Sequence, residues 1–186
     1  MITAIQAVQP YLSAVWTSGV AGASAIASYA TGNLARVGTA VKAAVSAASI
    51  ATGMTAAQLY RMPMWPVWAR FTPTIYGQTA GYLAVPVNQR HYVLRFNGFL
   101  SPRTIANRLW VKATWGGVVT PATKAVGLDS LDEFPYASTR QGGPFGPAVG
   151  WPVPLQENLV QGGLLVAFYT YVMRGLPRRF LVVPIP

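Results

Sequence analysis

Apolar and polar positions between residues 91 and 186 fall into short blocks whose periods predict a compact α+β domain. His91-Tyr92-Val93-Leu94-Arg95-Phe96 alternates and predicts a strand. Arg108 to Thr114 reads as a strand or a short helix. Gly127 to Gly150 reads as loop, with Gly142-Gly143-Pro144 and Gly146-Pro147 inside it, and Ala148 to Val153 as a short strand. Glu157 to Met173 is the clearest helix of this half. Its Leu164, Leu165, Phe168, Tyr169 and Val172 fall at helical spacing, and Gly175 is placed to end it. Phe180 to Val183 predicts a last strand, stopped by Pro184.

Upstream the pattern changes twice. Residues 61–90 contain Pro63, Pro66, Pro73 and Pro86 among Trp65, Trp68, Phe71, Tyr76 and Tyr82. Prolines at this density break helices, so the segment reads as a connector that packs its aromatics against the next unit. An aromatic platform for stacked bases is the functional alternative. Residues 1–60 are rich in Ala, Gly, Ser, Thr and Val and read as a helical leader. Ile2 to Val8 starts a helix that Pro10 interrupts, Gly32-Asn33 caps one, and Thr39 to Tyr60 forms another with Gly53 at a break. The expected division is therefore 1–60 leader, 61–90 connector and 91–186 functional domain.

The leader has a second reading. No charged residue precedes Arg36, and the uncharged run from Tyr11 to Ala35 exceeds the roughly 20 residues that span a bilayer. Its residues are Ala, Ser, Thr and Gly rather than Leu, Ile or Phe, which makes insertion weakly favourable. Delivery or transient membrane contact through residues 1–60 stands beside close small-residue helix packing. No basic stretch precedes the apolar run, so a signal peptide fits poorly. A secreted or delivered effector is the expected setting.

Charge narrows the function. The 186 residues carry 14 Lys and Arg against four Asp and Glu, for a net charge of +10. Such a balance points to a polyanionic partner, nucleic acid or an anionic membrane. The absence of Cys excludes a disulfide scaffold, a thiolate zinc site and a cysteine nucleophile. A single His excludes a His-rich metal cage and a zincin-type pair. There is no Gly-rich loop ending in Gly-Lys-Ser/Thr and no Gly-x-Ser-x-Gly, which argues against P-loop nucleotide hydrolysis and a nucleophile elbow. All four acids, Asp129, Asp132, Glu133 and Glu157, lie in one stretch, as carboxylates kept for a cation or a proton transfer would.

Two motifs occupy that stretch. The first is Leu131-Asp132-Glu133-Phe134-Pro135-Tyr136-Ala137-Ser138-Thr139-Arg140-Gln141-Gly142-Gly143. The second is Val153-Pro154-Leu155-Gln156-Glu157-Asn158-Leu159-Val160-Gln161-Gly162-Gly163, followed by Phe168-Tyr169 and Arg179-Phe180-Leu181-Val182-Val183. Their order and spacing resemble the NucA/NucB family of deoxyribonucleases over roughly residues 90–184. The resemblance implies a ββα-metal endonuclease related to the HNH group. Asp132 is then the general base in place of the usual His. Asn158 is the metal or water-orienting residue, and Glu133 and Glu157 are metal ligands or their supports. The implied metal set is Asp132, Glu157 and Asn158 around a divalent ion, Mg or Mn. Many family members have Glu before Gly-Gly where this chain has Gln141, which implies lower activity or a substitute role for Glu157.

The chemistry of the residues agrees. Phosphodiester hydrolysis needs an activated water, charge stabilisation on the phosphoryl oxygens and a protonated leaving group, and a hard divalent ion on oxygen ligands serves the second need. An ordinary Asp is a weak base, but like-charge repulsion from Glu133 raises its basicity. Arg140 suits bidentate contact with the scissile phosphate, or else is a solvated loop cation. Arg95, Arg103, Arg108, Lys112 and Lys124 are expected on the DNA backbone, and Arg174, Arg178 and Arg179 either there or at a helix end. His91 is expected to be a strand residue rather than a catalytic one. An acidic inhibitor protein is the partner expected for a +10 nuclease. Two other classes compete: a non-catalytic nucleic-acid-binding or structural protein on a degenerate nuclease fold, and a membrane-active toxin working through residues 1–60.

Overall fold

The computed structural model describes residues 28–84, 92–146, 148–174, 176 and 178–186. The readings made for residues 1–27, Pro86, His91, Pro147 and Gly175 lie outside them.

The first long element is helix α1, Leu34–Thr52. Ala40, Ala44, Val45 and Ala48 form one buried stripe at helical spacing. Gly53 ends the helix in the left-handed conformation at φ 69°, its N–H donating to the Ser49 carbonyl. Small side chains let α1 lie close on strand β5, Arg179–Ile185. By length and composition alone α1 is long and apolar enough to cross a membrane, but here its apolar stripe belongs to the core. A short helix α2, Ala56–Tyr60, follows behind a Thr55/Gln58 capping box.

Residues 61–90, expected as a connector, instead supply strand β1, Met64–Trp68, and helix α3, Pro73–Leu83. β1 pairs parallel with β5, from Met64↔Leu181 to Trp68↔Ile185. Prolines permit this because β1 is an edge strand and because Pro73 sits in the first turn of α3, where its missing N–H costs nothing. The expected boundaries at 60 and 90 therefore mark no break in the packing. Leu59, Trp65, Val67, Trp68 and Ile75 share one core with Phe134, Val153, Phe168 and Phe180.

β2, Val93–Arg95, is the other neighbour of β5 and runs antiparallel to it. The sheet order is β1-β5-β2, so β5 is central, and Phe180, Leu181, Val182 and Val183 are all buried. Pro184 does not stop β5. It lies past the last β2 pair, Val93↔Leu181, where no N–H is needed on that side. The stretch 108–114 is helical, within α4, Pro102–Trp115. Ser101 caps α4 by accepting the Thr104 N–H, and Thr104, Asn107 and Val111 are its buried face. A short helix α5, Pro121–Ala125, leads on.

The stretch expected as loop contains strand β3, Ser130–Phe134. It pairs antiparallel with β4, Val149–Val153, in a separate two-stranded sheet. Helix α6, Leu155–Ala167, begins two residues after β4 and widens into a π-helical turn at Phe168–Val172. Mixed α+β architecture is as the sequence predicts.

Candidate active site

The β3–β4 hairpin sorts the acids onto two faces. Successive strand residues point to opposite sides, so Asp132 and Phe134 share one face while Leu131 and Glu133 take the other. On the first face Phe134 stacks edge-on with Tyr82 of α3, ring centroids 5.1 Å apart, and α6 packs alongside. On the second face α4 packs tightly. A Cβ at Gly150 would collide with the Trp115 side chain, and the Arg108 charge acts on Glu133.

Three of the four carboxylates are committed to backbone amides. Asp129 Oδ1 accepts the Leu155 N–H at 2.8 Å, supplying the acceptor that Pro154 cannot at the start of α6. Glu133 Oε1 accepts the Ala137 N–H at 2.8 Å and closes the turn after β3, which contains the cis Phe134–Pro135 bond. Glu157 Oε1 accepts the Ile75 N–H at 2.7 Å in the first turn of α3. Asp132 differs: it is 6% exposed, and its Oδ2 is buried with no hydrogen-bond partner.

Electrostatics single out the same group. Burial, and then the charges of Glu133 and Glu157, push the Asp132 carboxyl well above its ordinary range against one opposing backbone N–H. Burial also raises Glu157, opposed by its bonds from Ile75 and Thr74. Glu133 is raised by burial, with the Ala137 N–H and the Arg108 charge working against it. Beside Asp132 stands the buried Tyr136, whose hydroxyl oxygen accepts from Trp65 Nε1 at 2.8 Å and from Gln161 Nε2 at 3.4 Å.

Asn158 is not the N-cap of α6. It lies one turn in, and its amide nitrogen donates to Ser130 Oγ at 2.8 Å and to the Leu131 carbonyl at 3.1 Å. The side chain thus latches α6 to β3 beside Asp132 and leaves the amide oxygen as an acceptor. Asp132, Glu157 and Asn158 come together at the hairpin–helix junction, whereas Glu133 points away from it.

The remaining motif residues are architectural. Thr139 Oγ1 donates to the Tyr136 carbonyl at 2.7 Å, and Ser138 Oγ lies 3.4 Å from the Tyr169 hydroxyl. A Cβ at Gly142 would strike the Tyr136 carbonyl oxygen, and Gly143, at φ +66°, packs on Asn107. This close approach is what the Gly-Gly pair permits. Gln141 is a staple: its Oε1 accepts the Arg95 N–H at 3.0 Å and its Nε2 donates to the Val93 carbonyl at 3.3 Å. It binds β2, which leaves it no carboxylate-like role.

The cations fall into separate groups. Arg140 is exposed, its N–H donates to the Arg95 carbonyl at 2.7 Å, and its carbonyl accepts from Arg103 Nη2 at 3.1 Å. Arg179 lies directly opposite Arg95 in the sheet. Arg103 also covers the Phe145 ring at 4.1 Å, so part of its role is packing. Arg108 and Lys112 stand one turn apart on the exposed face of α4, and Lys124 is exposed on α5.

Asn107 is absent from the residues that the sequence singles out. Its Nδ2 donates to the Ala137 and Thr139 carbonyls at 3.0 and 3.2 Å and holds the first motif's loop. A polar residue within the Thr104–Asn107–Val111 stripe is the available signal. The α3 amides are absent too, and nothing in the sequence of 73–75 marks them.

The fold and site define an α+β protein with a buried, oxygen-rich carboxylate centre at a hairpin–helix junction. Residues 115–182, from the end of α4 into β5, match the family model described as Deoxyribonuclease NucA/NucB. The matched segment holds both motifs and supports a deoxyribonuclease with DNA as substrate. No curated protein and no solved structure matches the chain.

Proposed function

We propose that the protein is a metal-dependent endonuclease that hydrolyses DNA phosphodiester bonds with little sequence preference, acting as a secreted or delivered toxin. The observation that carries this reading is the orphaned Oδ2 of Asp132, since a buried carboxylate oxygen without a partner costs stability and calls for a functional explanation. Asp132 is the general base: its raised pKa makes it a better proton acceptor than an ordinary Asp.

The donor set fits a hard divalent ion. Asp132, Glu157 and the Asn158 amide oxygen are all oxygen donors, and among the described residues no group of three His, Cys, Asp or Glu forms a protein-only cage. Magnesium-type ions suit such a site, because they take one or two carboxylates and fill their other positions with water and substrate phosphate. When bound, the ion supplies charge stabilisation at the phosphoryl oxygens. Asn158 fixes α6 against β3 and so sets the distance between Asp132 and the helix. Ile75 holds the Glu157 carboxylate in place, as hydrogen bonds to ligand carboxylates do. Arg95, Arg140 and Arg179 form an exposed phosphate-contacting group. An acidic inhibitor protein would meet the same charge.

The test is conversion of supercoiled plasmid to nicked and linear forms. Cutting is expected with Mg or Mn, is expected to stop with chelator, and is expected to return on adding metal back. Plasmid left intact under every metal condition would refute the enzyme reading.

A further inference from the structure

We infer that Trp151 is a nucleobase platform at the mouth of the site, stacking a base of the DNA strand whose phosphate reaches Asp132; this rests on the endonuclease reading above. Asp132 and Trp151 are paired directly across the β3–β4 ladder. Directly opposed residues of an antiparallel pair project to the same face, with Cβ atoms about 4.5–5.5 Å apart. The indole and the orphaned carboxylate therefore share one rung.

Their exposures differ sharply. Asp132 is 6% exposed and Trp151 49% exposed. On the rungs either side, Val153 and Phe134 are buried, and their partners Ser130 and Val149 are half-buried. Among these three rungs Trp151 is the one exposed side chain, so the indole is the most open part of the face that carries Asp132. Trp65 and Trp115 are fixed by Nε1 bonds to the Tyr136 hydroxyl and the Ala148 carbonyl. Among the described residues no acceptor takes the Nε1–H of Trp151, so its ring is held by the strand and open on one side. On its other face β4 is pressed against Trp115 through Gly150, which makes the strand a rigid support.

A net charge of +10 makes a polyanion the favoured ligand of the chain, and a half-exposed indole one strand spacing from the candidate base suits the flat face of a base. Stacking needs an unpaired base, so single-stranded or locally opened DNA is the preferred ligand.

Two measurements on the full chain test this. In the first, oligo-dT is added to Asp132→Asn protein, which is not expected to cut, and tryptophan fluorescence is followed. Quenching is expected, and most of its amplitude should be lost when Trp151→Phe is added. In the second, KM and kcat are compared on single-stranded DNA. Trp151→Ala should raise KM by about 5- to 150-fold, the range for loss of one base–aromatic stack, with kcat within about twofold. Trp151→Phe should keep most of the affinity. Unchanged KM in Trp151→Ala protein with a wild-type melting temperature, or quenching unaltered by Trp151→Phe, would overturn the platform. Quenching of the Asp132→Asn protein by oligo-dT, together with wild-type protein that cuts no DNA under any metal condition, would keep the platform and reject the nuclease, so the two failures are separable.

Discussion

The carboxylate of Glu157 accepts the backbone N–H of Ile75 at 2.7 Å, joining the second motif to a helix that precedes the first motif by about fifty residues. Negative charge at a helix N-terminus is favourable, so the contact stabilises α3 and orients Glu157 together. The segment from 61 to 84 is thus part of the folded body that holds the site, although the match to the nuclease family begins only at residue 115.

A fragment beginning at Leu83 should therefore fail. It loses β1, the parallel neighbour of β5, and nearly all of α3. The expected outcome is no cooperative thermal melt by circular dichroism and no cutting. In the full chain, Glu157→Ala should cost about 0.5–2 kcal/mol, the range for losing a helix N-terminal acceptor, and should raise the metal concentration for half-maximal cutting. A folded, active fragment would show that residues 1–82 are an appendage.

Asp132 should set opposing responses of stability and activity to pH. Its folded-state pKa is raised, so the folded protein holds this proton above the pH where the unfolded chain, near ~3.9, releases it. That contribution to stability is full below about pH 4 and is lost as pH rises through the folded pKa. Asp132→Asn, which never ionises, should melt a few degrees above wild type at neutral pH, on a scale of ~1–3 kcal/mol. The difference should close on acidification. Cutting by the wild type should fall in acid with a midpoint above the ordinary carboxylate range. Melting curves and cutting rates across pH check both signs.

Binding should be electrostatic and sequence-tolerant. Contacts neutralising about six phosphates give a log–log salt slope of roughly −5 on duplex DNA. Removing Arg95 and Arg179 together should reduce that slope by about two while leaving relative affinity among sequences unchanged. Binding of Asp132→Asn protein across a salt series measures it. A slope near zero would assign the charge to another partner.

Much of the fold and site is legible in the chain. The helix of residues 155–167 and the buried strand β5 follow from period and apolar runs, and the two motifs mark the site by their residues alone. What local pattern conceals has physical reasons. β3 reads as loop because Asp132 and Glu133, side by side, break its apolar alternation. α4 is ambiguous because its buried face carries Thr104 and Asn107 rather than apolar residues. β1 is hidden by its prolines, since edge-strand status is a tertiary fact. Gln141 reads as a departure from the family's Glu, while its role as a β2 staple depends on where Val93 and Arg95 lie.

The central claim is that Asp132 activates the water that cuts DNA. Its most direct measurement is the single-turnover cleavage rate of a plasmid by wild-type, Asp132→Ala and His91→Ala proteins at saturating Mg or Mn. The Asp132 variant should cut about 10²- to 10⁴-fold more slowly, the usual cost of losing a general base, with its fold and salt-dependent DNA binding intact, and the His91 variant should keep most of the wild-type rate. Wild-type cutting by Asp132→Ala together with a dead His91→Ala protein would contradict the assignment of the base.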